Sequence, residues 1–168
     1  MGTEDHRHNA PAAVAAAVIT VSDSRTPRTD DTGRLIRGRL EAAGHRVLDH
    51  SVVKDDAAEI AEALLCALDL SPDLVVVNGG TGISPKDVTI EAVRPLLDKE
   101  MPAFSVLFAA ASHEQIGPAA ILSRAMAGVR GRAVVFCLPG SPRACELALD
   151  KLILPEAGHL AAHVRGRT

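Results

Sequence analysis

The chain has no tryptophan, no tyrosine and only three phenylalanines in 168 residues. It therefore has little on which single-stranded nucleic acid could stack. Its net charge is −3 and no run of Lys or Arg offers a stripe to duplex phosphates, so no nucleic-acid partner is expected. No apolar run nears the roughly 18 residues of a membrane span, and no membrane partner is expected. The apolar stretch 10–21 lacks a basic start and continues into a strand pattern, unlike a secretory leader. His6 stands where a myristoylation signal needs Ser or Thr. Cysteine is scarce: Cys66, Cys137 and Cys145 are an odd number with no CxxC spacing, and buried reduced thiols in a cytoplasmic protein are the expectation. Standard signatures are missing as well. There is no GxxxxGK[ST], Pro85 stands where a GxGxxG starting at Gly80 needs its last glycine, and Ser141 sits in Pro-Gly-Ser-Pro, not in GxSxG. These gaps disfavour a P-loop, a classical dinucleotide site and a serine-hydrolase elbow.

What is present is an ordinary globular balance, 47% hydrophobic and 23% charged, in a chain of one-domain length. Residues 1–13 read as a loose extension and 14–168 as a single domain. Strand patterns over 15–21, 46–53, 74–77 and 132–138 alternate with helical ones. Asp30 or Asp31 can cap a helix running to about 43, with Gly44 at its C′ position. Asp55-Asp56 opens a second helix, with Ile60, Leu64, Leu65 and Leu68 on one face. Thr89 is a plausible cap for a third, with Glu91 in its first turn, and helices over 103–112 and 143–153 follow, then a C-terminal helix or arm. This alternation predicts an α/β fold with a mainly parallel sheet covered on both faces, and a ligand crevice at the carboxyl ends of its strands.

The ends of those strands carry the chemistry. The apolar run Leu74-Val75-Val76-Val77 stops at Asn78-Gly79-Gly80-Thr81-Gly82, where glycines permit sharp turns and a close backbone approach to phosphate. Such a loop can equally be a tight connector. Ser84-Pro85-Lys86-Asp87 has the spacing of a capping box, but Asp87 also places a carboxylate beside the glycines. A carboxylate there repels phosphate unless a cation intervenes, which points to Mg²⁺. Asp55, at a neighbouring strand end, could add a second acid, although Asp55 and Asp56 also suit helix caps. Two carboxylates with glycine N–H groups are what phosphoryl or nucleotidyl transfer needs. Ser22-Asp23 and Pro139-Gly140-Ser141-Pro142 end two further strands on the same side. His159 and His163 have the i, i+4 spacing of a metal pair, but two exposed histidines on a terminal helix explain them better.

The ordered set Val21-Ser22-Asp23-Ser24-Arg25-Thr26, Asn78-Gly79-Gly80-Thr81-Gly82, Asp87-Val88-Thr89, Leu122-Ser123-Arg124-Ala125 and Leu138-Pro139-Gly140-Ser141-Pro142 resembles the MoaB/Mog molybdopterin-binding family of molybdenum cofactor biosynthesis, more closely its MoaB branch. The resemblance covers roughly residues 15–155. It implies a three-layer α/β/α domain assembled as a homotrimer or homohexamer. It also implies Mg²⁺-dependent adenylylation of molybdopterin by ATP with loss of pyrophosphate, or else a binding-only carrier. Carried over by motif, Asp55 and Asp87 match the metal-binding and transfer acids. Gly79, Gly80, Thr81 and Gly82 match the nucleotide and phosphate loop. Ser22, Asp23, Ser123, Pro139, Gly140 and Ser141 match cleft-lining positions. A downstream molybdenum-insertion protein is an implied partner. Two departures stand out: Ile90 replaces a common Pro, and Met101-Pro102-Ala103-Phe104-Ser105-Val106 lacks a Gly and a Glu of the usual pattern.

Overall fold

The structure, a computed structural model, describes residues 11–166. Most of the proposed extension 1–13, with His6 and His8, lies outside them. The strands are β1 (Ala15–Val21), β2 (Arg46–Val53), β3 (Leu74–Asn78), β4 (Lys99–Glu100), β5 (Met126–Arg130) and β6 (Ala133–Leu138). The α-helices are α1 (Asp31–Ala42), α2 (Ala57–Asp69), α3 (Thr89–Val93), α4 (Pro102–Ile116), α5 (Pro142–Ala148) and α6 (Ala157–Val164). The sheet order is β2-β1-β3-β6-β5-β4; β2, β1, β3 and β6 run parallel, and β5 is antiparallel to both its neighbours.

Central strands covered on both faces need apolar residues at every position, and β3 and β6 are buried throughout. One face packs Ile36 and Leu40 of α1, Phe104 and Phe108 of α4 and Leu147 and Ala161 of the last two helices against Val18, Val76 and Phe136. The other packs Ile60 and Leu64 of α2 and Ile90 and Val93 of α3 against Ile19, Val75 and Val135. This is the expected three-layer arrangement. The chain leaves β1 for β2 on one side and crosses back to β3 on the other, so the switch of direction falls between β1 and β3. Register then fixes the neighbours there. Val21 pairs with Val53, Thr20 with Asn78, and Asn78 with Leu138, which sets Ser22, Lys54-Asp55, Gly79 and Pro139 side by side.

Several expectations need correction. Leu65 is 44% exposed, so the buried face of α2 is Ile60, Leu64 and Ala67. Thr89 is buried within α3, and the cap position is Val88, which supplies no side-chain bond. No helix starts at Ser84: the Asp87 carboxylate accepts from the Ser84 N–H at 2.8 Å, half of a capping box, but closes a turn instead. Cys137 and Cys145 are buried, with thiols pushed up to about 12 by burial, while Cys66 is exposed. α4 extends to Ile116, and α5 passes into a π turn at Leu149–Ile153. β4 and β5 were not foreseen.

Behind the β1 and β3 ends lies a buried polar knot. Asp30 caps α1 by accepting from the Gly33 N–H at 2.9 Å, and its other oxygen accepts from His50 Nε2 at 2.8 Å. The Thr20 hydroxyl also bonds Asp30, and Asn78 Nδ2 donates to Thr20 Oγ1 at 2.8 Å and to the Ile19 carbonyl at 3.1 Å. Burial alone would raise the Asp30 carboxyl, but the bonds from Thr20, Gly33 and His50 outweigh it and hold it below the ordinary value. A carboxyl lowered on folding contributes stability that is complete above its unfolded value, about 3.9, and lost as pH falls through the folded one. Asp30→Asn should therefore cost about 1–3 kcal/mol at pH 7, with the gap to the parent narrowing below about pH 4. Denaturant titrations at pH 7 and pH 3 check this; a gap that stays constant would contradict it.

Candidate active site

The glycine loop hangs between β3 and α3 with every carbonyl tied down. The Gly79 carbonyl accepts from Thr89 Oγ1 at 2.8 Å, and that of Gly80 from the Thr89 N–H at 3.0 Å. The Thr81 carbonyl accepts from the Arg124 N–H at 3.1 Å and that of Gly82 from Arg124 Nε at 2.7 Å. The N–H groups of Gly80, Thr81 and Gly82, by contrast, find no acceptor among the described residues. Three successive N–H groups without an acceptor are donors that a ligand anion could satisfy, because backbone donors seek a partner.

Close packing leaves no room for side chains here. Gly79 has φ +100°, and a Cβ on it would lie 2.2 Å from the Val21 carbonyl oxygen. Gly140 stacks on it, its own Cβ position 3.3 Å from Gly79 Cα. Its carbonyl is held by Thr32 Oγ1 at 3.1 Å. The acids sit at the loop itself: a Cβ on Gly80 would approach Asp55 Oδ1 to 3.0 Å, and one on Gly82 would approach Asp87 Oδ2 to 2.7 Å.

Asp55 and Asp56 divide the work at the end of β2. Asp56 caps α2, accepting from Ala58 and Glu59 at 2.9 and 3.0 Å, which leaves the Asp55 carboxylate free of the helix cap and beside Gly80. Neither Asp55 nor Asp23, Ser22 or Gly79 is among the residues that line the cavity described below. Asp23 is a third acid: its Oδ1 accepts from the Asp55 N–H at 3.3 Å and its Oδ2 pairs with Lys86 Nζ at 3.2 Å. Burial, with the charges of Asp23 and Asp87 adding to it, holds the Asp55 carboxyl above the ordinary value. The hydrogen bond from Lys86, then that from the Asp55 N–H, holds Asp23 below it. No three His, Cys, Asp or Glu side chains among the described residues converge as a complete metal cage. The donor set still suits Mg²⁺, which takes one or two carboxylates and completes its shell with water and substrate phosphates.

Beside the loop lies a cavity of about 310 Å³, with Gly80, Thr81, Gly82, Asp87 and Ser123 on one side and Phe108, Ile116 and Leu122 on another; Pro139, Gly140 and Ser141 close it. It continues past Ser112, Ile116 and Ser141 into a hollow of about 440 Å³ toward Arg143. Phosphate donors at one end and apolar walls at the other suit a ligand with a charged group and a flat ring system. Ser22 and Ser141 have structural duties: Ser22 Oγ accepts from the Ser24 and Arg25 N–H groups, each at 3.3 Å, and Ser141 Oγ caps α5 by accepting from Ala144 at 3.3 Å. A larger hollow of about 620 Å³ opens by Arg130, Arg132 and Arg165 at the opposite sheet edge. Its Arg130 and Arg165 are spent on Asp98 and Asp73, and it has no comparable loop.

Sequence reasoning missed Arg124 and the duty of Thr89. Besides the two loop carbonyls, Arg124 Nη2 donates to the Asp87 carbonyl at 2.8 Å, and its guanidinium pairs with Glu91, straddling both ends of the 82–87 turn. An Arg that follows a loop Ser, with a Glu on the facing helix, was the available signal.

A three-layer α/β domain with an open glycine loop at its switch point, flanked by acids, is a candidate site for a phosphate-bearing ligand. Residues 17–159 match the family model described as "Probable molybdopterin binding domain", and the chain belongs to that family, on its MoaB side. It is 48% identical over 162 residues, 95% of this chain and 96% of the relative, to Molybdenum cofactor biosynthesis protein B of Bacillus cereus. A crystal structure of Molybdenum cofactor biosynthesis protein B superposes with TM-score 0.90 at 47% identity, covering 94% of this chain and 99% of that one. The tungsten cofactor synthesizing protein MoaB from Pyrococcus furiosus superposes at 0.84 with 40% identity, covering 93% and 99%.

Proposed function

We propose that this protein acts in molybdenum cofactor biosynthesis as a molybdopterin adenylyltransferase. The observation that carries the reading is the glycine loop, whose carbonyls are bonded and whose N–H groups at 80–82 are not, with Asp55 and Asp87 against it. A terminal phosphate oxygen of molybdopterin forms the new bond to the α-phosphorus of ATP. The bond from that phosphorus to the bridging oxygen of pyrophosphate breaks, and pyrophosphate leaves with the electron pair. The loop N–H groups hold the phosphate oxygens where charge builds up, and the apolar wall of Phe108, Ile116 and Leu122 seats the ring system. Mg²⁺, held by Asp55 and Asp87, would neutralise phosphate charge.

The working unit on this reading is a homotrimer or homohexamer. α4 buries Phe104, Phe108 and Ser112 on one side yet leaves Val106 68%, Leu107 54% and Ile116 58% exposed, followed by Ile121 at 84%. An apolar patch beside the cleft supports cover by another copy. A molybdenum-insertion protein downstream would receive the adenylylated product. No helix among the described residues is long and apolar enough to cross a membrane; a cytoplasmic site of action is part of this proposal.

Equilibrium binding of ATP tests the reading. ATP should bind more tightly with Mg²⁺ than without it. Molybdopterin binding with no Mg²⁺-dependent ATP affinity would make the protein a carrier instead.

A further inference from the structure

Arg124 grips the glycine loop from outside the ligand cavity. It lines two hollows of about 470 and 440 Å³, but it is not among the walls of the 310 Å³ cavity, where its neighbour Ser123 stands. Its Nε donates to the Gly82 carbonyl at 2.7 Å and its Nη2 to the Asp87 carbonyl at 2.8 Å. The Glu91 carboxylate accepts from Nη1 and, at 3.3 Å, from Nη2. We propose that Arg124 is a positioning residue: its guanidinium joins the two ends of the 82–87 turn and so sets the Asp87 carboxylate against the glycine loop. This rests on the reading of Asp87 as a carboxylate for Mg²⁺.

Three features carry the assignment. The turn's own bonds are internal to it: the Asp87 N–H donates to the Ser84 carbonyl at 2.9 Å, and the Asp87 carboxylate accepts from the Ser84 N–H at 2.8 Å. They shape the turn without fixing where it lies. The Lys86–Asp23 pair ties its tip to the β1 exit, but both side chains are well exposed, and such pairs hold weakly. The guanidinium instead fastens Gly82 and Asp87 to one rigid group. A planar fork with several N–H donors can serve two carbonyls and a carboxylate at once, whereas the ammonium of lysine is a point charge on a flexible stem. Arg124 also keeps its backbone N–H on the Thr81 carbonyl at 3.1 Å, a bond that no side-chain substitution removes.

Arg124→Lys tests the proposal, because it keeps the charge and the backbone bond and removes the fork. Calorimetric ATP affinity in the presence of Mg²⁺ should fall roughly tenfold, the effect expected of a group that orients a metal-binding carboxylate. The urea midpoint should stay close to the parent's. In an Asp87→Asn background the same substitution should change ATP affinity little further, because residues that act through one another are not additive.

Two magnetic-resonance readouts need neither ligand nor activity. The Ser84 amide proton, bonded to the Asp87 carboxylate, should shift and exchange faster in Arg124→Lys. In the parent, the Arg124 Nε–H should exchange slowly because the Gly82 carbonyl holds it, a measurement that needs no variant. An unmoved Ser84 resonance, equal losses of affinity in both backgrounds, or a fast-exchanging Arg124 Nε–H would overturn the proposal. ATP binding by the parent that is indifferent to Mg²⁺ would instead overturn the proposed function, and the Ser84 resonance would still decide whether Arg124 holds the turn.

Discussion

Asp87→Asn should bind molybdopterin as the parent does and adenylylate it about 10²–10³-fold more slowly, the range by which one preorganised charge-stabilising group changes a rate. The substitution is chosen because the Asp87 carboxylate has two jobs. One is local: it accepts from the Ser84 N–H at 2.8 Å and closes the turn after the glycine loop. An Asn oxygen can still do that, and Arg124 still grips the Asp87 carbonyl at 2.8 Å. The other job is charge. Asp87 Oδ2 lies 2.7 Å from where a Cβ on Gly82 would be, and Asp87 lines the cavity together with Gly80, Thr81 and Gly82. Removing the charge while keeping the shape should lower kcat and spare pterin affinity, with unfolding stability within about 0.5 kcal/mol of the parent. If kcat is unchanged, Asp87 only shapes the turn. If pterin binding and stability fall together, the loop has collapsed and the assignment fails.

Gly79→Ala should have the largest structural effect. L-residues rarely adopt φ +100°, and the added methyl would stand 2.2 Å from the Val21 carbonyl oxygen, inside backbone that cannot swing aside. Strain of this type costs about 1–3 kcal/mol and the overlap adds to it. The variant should lose about 3 kcal/mol or more and also ligand affinity, since the Gly79 N–H holds the Leu138 carbonyl at 3.0 Å and so joins β3 to the Pro139 turn. Gly38→Ala is the matched control. Gly38 sits in α1 with no atom within 4 Å of its Cβ position, so alanine there should stabilise by about 0.5–1 kcal/mol. Urea midpoints for both variants check the pair; two similar midpoints would mean that the packed loop described here is wrong.

What could be read from the sequence was what local chemistry decides. A Val run closed by Asn and glycines signals a buried parallel strand with a tight exit, and β3 is that. Asp30 and Asp56 precede amphipathic runs and do cap them. The placement of Asp55 near Asp87 was foreseen from the fold class, because parallel strands deliver their ends to one edge. Contacts set by tertiary approach were less legible. β5 reads Met126-Ala127-Gly128-Val129-Arg130, poor in strand formers, and its Gly128 is required because Leu97 and the Lys99 carbonyl come within 2.6 Å of where a Cβ would be. Thr89 looked like a cap because it precedes a helix, but its hydroxyl partner lies ten residues back in the loop. Arg124 reaches the loop from 37 residues beyond Asp87, so its only sequence signal, an Arg after a loop Ser, does not say what it grips. Leu65 kept helical phase with Leu64 and Leu68 yet faces outward.

The most direct measurement is pyrophosphate release from ATP by the full chain, with Mg²⁺ and molybdopterin each present or withheld. An adenylyltransferase should release one pyrophosphate for each adenylylated pterin formed, and none when either is left out. Tight molybdopterin binding without release under any of these conditions would contradict the account and leave the glycine loop and its acids as a binding cradle.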